Sequence, residues 1–470
     1  MPRRRLGGAV PPGRRLGGAV PPGRRPSGDA RRLAHEILVR VERTAAFADV
    51  LLAERLAHAA LAPADHALAT RLVYGTLAWQ ARLDFHLDGL LARTPVASLD
   101  VAVRVALRLG LYQLLFLERV PAYAAVDTSV ALAGARGAGM RALANAVLRR
   151  AARLGRDAFG PPDVADPIEQ RAIAWSHPRW LVARWTAELG DDDATRLLAA
   201  DNADAGTTLR AAPGTRGALA DALAAAGVAT TPGRWSPDAL VVAEGGARLR
   251  ALAAWREGRF AFQGEASQLV VPLLGVEPGM RVLDACAAPG GKTAHAAALA
   301  GDRGTVVALD RHRAGVRRIL AEAARLRVRV LGAATDARRP PLRGAFDAVL
   351  VDAPCSGLGT LRRHPELRWR RRPDDIPRFA ALQREILAGV APLVRPGGVL
   401  VYAVCTLARD ENEDVVAAFR AAAPRFTLED ARAALPPSAA PLVDADGFLR
   451  TFPHRHGVDG FFAARLRAAR

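Results

Sequence analysis

Five short apolar runs follow residue 275 of this 470-residue chain, and helical stretches separate them. Strands with continuous apolar sequence are buried on both faces, which is typical of a parallel sheet covered by helices. The pattern therefore predicts a C-terminal α/β domain with a doubly wound sheet. The runs span residues 281–283, 305–309, 328–331, 346–351 and 398–404.

Each predicted strand leads into a group that can do chemistry. Because the carboxyl ends of parallel strands share one edge of a sheet, where ligands bind, these groups should line one site. Carboxylates, a glycine-rich turn and thiols on one edge indicate an enzyme. In chain order the groups are Asp284 with the turn at Gly290 and Gly291, then Asp310, Asp336, Asp352 and Cys405.

The lysine and the cysteines of the chain are confined to this region. Lys292 is the only lysine among 66 basic residues, and it directly follows the glycine-rich turn. Such a retained ammonium indicates a site that needs a compact, rotatable charge. The three cysteines are Cys286, Cys355 and Cys405. Their odd number and wide spacing predict reduced thiols in a cytoplasmic protein and match no zinc pattern, so no metal site is expected.

The glycine-rich turn narrows the choice of cofactor. It follows neither the P-loop pattern nor G-x-G-x-x-G, which argues against phosphate and dinucleotide ligands. An acid after the second strand suits hydrogen bonds to ribose hydroxyls, and the next helix N-terminus favours a negative group. S-adenosylmethionine carries a ribose, an adenine and a carboxylate, and it is the expected cofactor. Its predicted contacts are Cys286, Ala287, Ala288, Pro289, Gly290, Gly291, Lys292, Asp310, Asp336 and Asp352.

The rest of the chain divides by composition. Residues 4–13 and 14–23 repeat the same ten letters, rich in Gly, Pro and Arg, and predict a disordered basic segment. Residues 101–117 are apolar nearly all round, as a central bundle helix would be. The predicted divisions are a tail at 1–29, an all-α bundle at 30–155, a small α+β linking subdomain at 156–269 and the catalytic α/β domain at 270–470.

Charge and composition indicate a nucleic-acid partner. The net charge is +19, which favours a polyanion, and no uncharged apolar run approaches the ~18 residues of a membrane span. Residues 361–372 hold six Arg, one His and one Trp, a mixture typical of single-stranded RNA sites. The predicted RNA contacts are Arg362, Arg363, His364, Arg368 and Trp369.

Three motifs resemble the signature set of RNA (cytosine-5) methyltransferases, an α/β family with a Rossmann-like domain. They are Asp284-Ala-Cys-Ala-Ala-Pro-Gly-Gly-Lys292, Asp352-Ala-Pro-Cys-Ser-Gly357 and Tyr402-Ala-Val-Cys-Thr-Leu407. The helical block resembles NusB-type RNA-binding domains, through Arg108-Leu-Gly-Leu-Tyr-Gln113 and Asn145-Ala-Val-Leu-Arg149. This pairing is similar to the family's bacterial enzymes for 16S ribosomal RNA. The resemblance covers about residues 30–470.

The resemblance implies roles for two thiols. Carbon 5 of cytosine is a poor nucleophile until a thiolate adds to carbon 6, and the adduct must later be eliminated. The RNA family implies Cys405 as the nucleophile and Cys355 as the group that assists elimination. Asp352 would hydrogen-bond the cytosine ring. DNA cytosine-5 methyltransferases instead use a Pro-Cys nucleophile, which would be Cys355, and the residues alone leave the two roles open.

Three alternative functions compete with methylation of 16S ribosomal RNA. Two of them have the same reaction on a different substrate, since the protein would be a cytosine-5 methyltransferase for transfer RNA or for DNA. The third is a non-catalytic RNA-binding or antitermination protein built on the helical block. The predicted site of acids and thiols favours the enzyme, and a monomer without a membrane partner is expected.

Overall fold

The computed structural model describes residues 28–44, 46–59, 61–91 and 94–470. The repeated decamers, with nearly all of the predicted tail at 1–29, lie outside these residues. In the part of the chain that is described, no helix combines the length and the apolar character needed to cross a bilayer.

The N-terminal block is helical throughout its described residues. Residues 102, 103 and 105–113 of its central helix are all buried, as the all-round apolar sequence predicted. The Asp100 side chain begins this helix by accepting a hydrogen bond from the amide of Ala102 at 2.9 Å. The helices are α1 (Gly28–Arg43), α2 (Ala48–His58), α3 (Pro63–Ala78), α4 (Gln80–Leu91), α5 (Val101–Phe116), α6 (Ala122–Gly134) and α7 (Ala138–Leu154).

The linking region combines five helices with a small antiparallel sheet, which agrees with the predicted α+β class. Its sheet has the strand order β2-β3-β1-β4, and α11 packs against it. The elements are α8 (Pro167–Ala174), α9 (Arg179–Leu189), α10 (Asp191–Asp201), β1 (Thr207–Ala211), α11 (Arg216–Ala225), β2 (Ala229–Pro232), β3 (Ala239–Glu244), α12 (Ala253–Arg256) and β4 (Phe260–Phe262).

The C-terminal region forms the larger sheet with helices around it. Its first half contains α13 (Glu265–Gln268), β5 (Arg281–Asp284), α14 (Gly291–Ala300), β6 (Thr305–Asp310), α15 (Arg313–Arg325), β7 (Leu331–Ala334) and β8 (Phe346–Asp352). Its second half contains α16 (Leu367–Arg370), α17 (Asp375–Val390), β9 (Val394–Val404), α18 (Glu413–Ala422), β10 (Phe426–Glu429), β11 (Leu449–Thr451), α19 (Pro453–His456) and β12 (Phe461–Ala468).

This sheet is mixed, whereas the apolar runs predicted only parallel strands. Its order is β10-β12-β9-β8-β5-β6-β7, and the neighbours from β9 to β7 are parallel. Strand β12 pairs antiparallel with β9 and β10, and β11 pairs antiparallel with β12. The third strand begins at Leu331 rather than at residue 328, and Leu331 is 60% exposed at the sheet edge. An edge strand lacks the two buried faces that make the other runs recognisable.

The strand order places the binding crevice. From the central β5, the chain first adds β6 and β7 on one side and then crosses to β8 and β9 on the other. The crevice beyond the carboxyl ends of β5 and β8 is therefore the topological switch point, where open α/β sheets bind ligands.

Candidate active site

The thiols of Cys355 and Cys405 meet beyond the ends of β8 and β9. These parallel strands pair Asp352 with Ala403, so the loops that follow them start side by side. The two sulfur atoms are 3.3 Å apart, and both cysteines are free and partly buried. The hydrogen bond to Cys405, together with burial, raises the pKa of Cys355 well above its ordinary value. Cys355 therefore keeps its proton beside the other sulfur.

Lys292 places its ammonium next to this thiol pair. The ammonium donates to Asp352 Oδ2 at 2.7 Å and lies 5.1 Å from the centre of the Phe461 ring. Burial alone would lower the pKa of Lys292, but the negative charges of Asp352, Cys405 and Asp284 outweigh it and raise the pKa. The ammonium of Lys292 therefore remains charged within the site.

The turn after β5 is held by local packing. Gly290 has a φ of +113°, and a side chain there would approach the Cα of Ile319 to 2.9 Å. Thr293 donates to Asp284 at 2.7 Å, and burial raises the pKa of Asp284 to about 7. No side chain caps the N-terminus of α14, so its first amide groups are free of side-chain acceptors among the described residues.

The linking sheet braces this turn from the other side. Arg210 of β1 is buried and donates to the carbonyl oxygen of Gly291 at 3.3 Å and to Gln263 at 2.6 Å. Ala287 uses its amide to donate to the carbonyl oxygen of Leu309 at 2.8 Å. The backbone of the turn is thus fixed in place by the surrounding elements.

The predicted acids surround Cys286. Burial, with the charges of Asp284, Asp352, Asp310 and Asp336, raises the pKa of the Cys286 thiol. This thiol therefore stays protonated and is a poor nucleophile.

Asp310 and Asp336 differ in how they are engaged. Asp310 accepts from the amide of His312 at 2.7 Å through Oδ1 alone. Both oxygens of Asp336 accept from Arg338, which lowers the pKa of Asp336 to about 2. Asp310 thus has more capacity for a ligand than Asp336 has.

A buried carboxylate that sequence reasoning missed ties the two thiol loops together. Glu411 is fully buried and accepts from the amide of Ser356 at 2.9 Å, from Gln383 at 2.9 Å and from Thr406 at 3.2 Å. The hydroxyl groups of Ser356 and Thr406 are also 2.8 Å apart. Because Ser356 follows Cys355 and Thr406 follows Cys405, this network sets the spacing of the sulfur atoms.

The acidic run at 410–414 gave no sign of this network. Acids at the start of a helix complement its dipole, and Glu413 and Asp414 lie in the first turn of α18. Glu411 instead lies in the preceding turn at Arg409–Glu411 and points inward. Local sequence does not distinguish these acids.

The Glu411→Ala variant should lose activity because the Ser356 amide and the Gln383 side chain lose their acceptor. We expect destabilisation of about 2–5 kcal/mol and a rate of methyl transfer roughly 10- to 100-fold lower. Glu411→Gln, which keeps one acceptor oxygen, should recover much of both. Urea unfolding and single-turnover methylation measure the effects, with Asp414→Ala as the exposed control. Wild-type stability and rate in Glu411→Ala would show that the network does not position the thiols.

Arg362 and Arg363, two of the predicted RNA contacts, are both held by one buried acid. Asp459 is 5% exposed and accepts from each guanidinium at 2.7 Å. Arg363 also donates to the carbonyl oxygen of Gly206. These arginines therefore join the loop after Cys355 to the start of β12 and to the linking region. His364 stays 29% exposed.

The position of Arg368 differs from the one expected for an RNA contact. Its side chain is fully buried and donates to the carbonyl oxygens of Ala78, Ser176 and Asp201 and to the side chain of Asn202. Burial keeps it from RNA, so the predicted contact is wrong. A run of arginines was interpreted as a solvated binding face, but this guanidinium satisfies carbonyl groups at the ends of α3, α8 and α10.

The Trp369 side chain likewise contacts the helical block. Its indole Nε1 donates to the carbonyl oxygen of Leu77 at 3.1 Å. Arg370 donates to the carbonyl oxygens of Val41 and Ala46. Helix α16, together with the preceding Glu366, thus connects the catalytic domain to the helical block. We call these residues, 366–370, the interdomain clasp.

Family models match the chain in three stretches. The model described as 16S rRNA methyltransferase RsmB/F matches residues 271–467, and the NusB family matches residues 28–153. A ferredoxin-like domain of RsmF/B-like methyltransferases matches residues 177–247. In chain order, the three matched stretches correspond to the helical block, the linking region and the catalytic region of the fold.

Individual relatives are similar over nearly the whole chain. The Bacillus subtilis protein named "Probable ribosomal RNA small subunit methyltransferase B" is 36% identical over 93% of this chain and 98% of its own. The ribosomal RNA small subunit methyltransferase B of Pseudomonas putida is 36% identical over 86% of this chain and 90% of its own. The crystal structure of PH0851 superposes with a TM-score of 0.80 at 27% identity, covering 94% of this chain and 98% of that one.

These matches agree with the motifs, the mixed α/β sheet and the helical block described above. The sequence resemblance to a methyltransferase with a NusB-type N-terminal block is thereby confirmed. The chain belongs to the RsmB/F family of 16S rRNA methyltransferases.

Proposed function

We propose that this protein methylates carbon 5 of a cytosine in 16S ribosomal RNA, with S-adenosylmethionine as methyl donor and Cys405 as covalent nucleophile. The observation that carries the proposal is the pair of thiols 3.3 Å apart beside the Lys292–Asp352 ion pair. Addition at carbon 6 needs a nucleophilic thiolate, and the later elimination needs a group that assists removal of the carbon 5 proton, so two adjacent sulfur atoms can divide these roles.

The crevice supports S-adenosylmethionine as the donor. The uncapped amide groups at the start of α14 suit its carboxylate, and the free oxygen of Asp310 suits a ribose hydroxyl. When bound, the cofactor supplies an electrophilic methyl group. Lys292 was expected among its contacts, but the ammonium is bound to Asp352, so we assign it to the thiolate instead.

The surroundings of Cys355 support this division of roles. Burial and the hydrogen bond to Cys405 raise the pKa of Cys355, so its thiol can donate a hydrogen bond to the sulfur of Cys405. Cys405 then adds to carbon 6 of the ring, which makes carbon 5 nucleophilic. After methyl transfer, Cys355 takes the proton from carbon 5 as it gives its own proton to the Cys405 sulfur, and the bond between carbon 6 and that sulfur breaks. Cys355 lies close enough to assist that elimination.

Asp352 supports the choice of cytosine. One of its oxygens accepts a charge-assisted hydrogen bond from the Lys292 ammonium at 2.7 Å. The other oxygen can accept from the exocyclic amino group of cytosine. Uracil presents a carbonyl oxygen at that position and would be repelled. The carboxylate is thus proposed as an acceptor for the amino group rather than as a donor to ring nitrogen 3.

Nucleoside analysis of the product tests the proposal. We expect labelled S-adenosylmethionine and 16S ribosomal RNA to yield 5-methylcytidine, with transfer RNA and DNA as control substrates. Faster methylation of transfer RNA or DNA would overturn the ribosomal assignment. Loss of methyl transfer to all of them would favour a binding protein built on the helical block.

Asp310→Ala should weaken binding of S-adenosylmethionine because a ribose hydroxyl loses its acceptor. The expected loss is about 1–3 kcal/mol, which is roughly 5- to 150-fold in Kd. Calorimetry on the full-length protein measures it, and Asp302→Ala, exposed in the loop before β6, is the control. Equal affinity in Asp310→Ala and wild type would remove Asp310 from the cofactor site.

A further inference from the structure

Three potential metal ligands meet where the helical block contacts the catalytic domain. They are Asp49 on α2, His364 and Glu366, and each offers one ligand atom within 4.8 Å of the other two. Asp49 Oδ1, His364 Nδ1 and Glu366 Oε2 are the atoms that concern this cluster. Asp49 Oδ1 and His364 Nδ1 are 3.9 Å apart, which is too long for a hydrogen bond. This cluster is separate from the thiol site.

All three atoms are buried and have no hydrogen-bond partner among the residues that the structure describes. A buried polar atom without a partner is costly, and three in one place indicate a missing ligand. Glu366 is 2% exposed, and its other oxygen accepts from the amide of Ala48 at 3.0 Å. That bond fixes the carboxylate and leaves Oε2 for the cluster.

Two carboxylates and an imidazole thus lie close together, and His364 can act as a metal ligand while neutral.

We propose that Asp49, His364 and Glu366 bind one divalent transition-metal ion, with zinc the best fit, and that the ion joins the helical block to the catalytic domain. One imidazole nitrogen and two carboxylate oxygens form a ligand set that zinc accepts, with water in the fourth position. The side chains of His364 and Asp49 are 29% and 41% exposed, which gives the ion a route in. The cysteine pattern did not predict this site because its ligands come from distant parts of the chain and include no cysteine.

Zinc binding to chelator-treated, full-length protein tests the proposal. The Cys355→Ser/Cys405→Ser background is used because two thiols 3.3 Å apart are a rival zinc site. We expect one zinc per chain by calorimetry and a higher melting temperature when zinc is added. Cobalt in place of zinc should show nitrogen and oxygen ligation without a thiolate charge-transfer band.

Two isosteric variants identify the ligands. Glu366→Gln retains an acceptor for the Ala48 amide but loses a ligand oxygen, and Asp49→Asn changes one atom of the other carboxylate. Each should weaken zinc binding at least ~10- to 100-fold, whereas His58→Ala, at the exposed end of α2, should bind zinc as the background does. The proposal is overturned if the background protein takes up no stoichiometric zinc. It is also overturned if Glu366→Gln and Asp49→Asn bind zinc unchanged, since the ion would then lie at another site.

Discussion

Incubation of Cys355→Ser with S-adenosylmethionine and 16S ribosomal RNA should leave RNA covalently attached to the protein. Cys405 can still add to carbon 6 and the methyl group can still transfer, but the group that assists elimination is missing. The adduct should appear as a slowly migrating species on a denaturing gel. Release of free methylated RNA should fall by roughly 10³-fold or more.

Cys405→Ser should behave differently, with no adduct and no methylation, because a serine hydroxyl is far less acidic than a thiol. Cys286→Ser is the matched control, since its thiol is protonated and placed among the carboxylates. A stable adduct in Cys405→Ser and none in Cys355→Ser would reverse the two roles. Full activity without an adduct in both variants would make the thiols structural.

Arg368→Ala should be among the most destabilising substitutions in the chain. It removes a fully buried guanidinium that holds carbonyl groups of Ala78, Ser176 and Asp201 and the side chain of Asn202. These acceptors would stay buried without a donor. The expected loss in the free energy of unfolding is about 3–5 kcal/mol.

Urea-induced unfolding measures this loss, and Arg372→Ala, exposed just beyond the clasp, is the control. The control should change the midpoint very little. If Arg368→Ala unfolds at the midpoint of the wild type, the clasp does not stabilise the contact between domains.

The catalytic region shares an apolar core with the linking helices. One apolar core combines Leu181 and Leu198 of the linking helices with Leu358 and Leu361 of the loop after Cys355. Residues 270–470 alone would expose this surface. In addition, Arg371, directly after the clasp, donates to the carbonyl oxygen of Ser356 at 2.7 Å. The segment that contacts the helical block thus continues into a contact with the thiol loop.

The sheet and the bundle were predictable because their burial leaves a local pattern. Strands β5, β6, β8 and β9 are covered on both faces and read as continuous apolar runs. The direction of β12 was not predictable, because an equally buried strand gives the same pattern in either orientation. The start of β7 was not predictable either, because this strand lies at the edge of the sheet and is mostly exposed.

The groups on the crevice were predictable for a related reason. Each follows a strand, and parallel strands bring their carboxyl ends together. Glu411, Arg368 and the cluster at Asp49 could not be found this way. Their importance depends on burial against segments that are far away in the sequence, and a local pattern of charge gives the same signal for a buried acid as for a solvated one.

Release of tritium from RNA labelled at carbon 5 of cytosine tests the central claim most directly. Methyl transfer to carbon 5 must expel the hydrogen that was there, so we expect one tritium released for each methyl group transferred. Cys405→Ser should release none. Methyl transfer to 16S ribosomal RNA without release of tritium would place the methyl group on another atom and contradict the account.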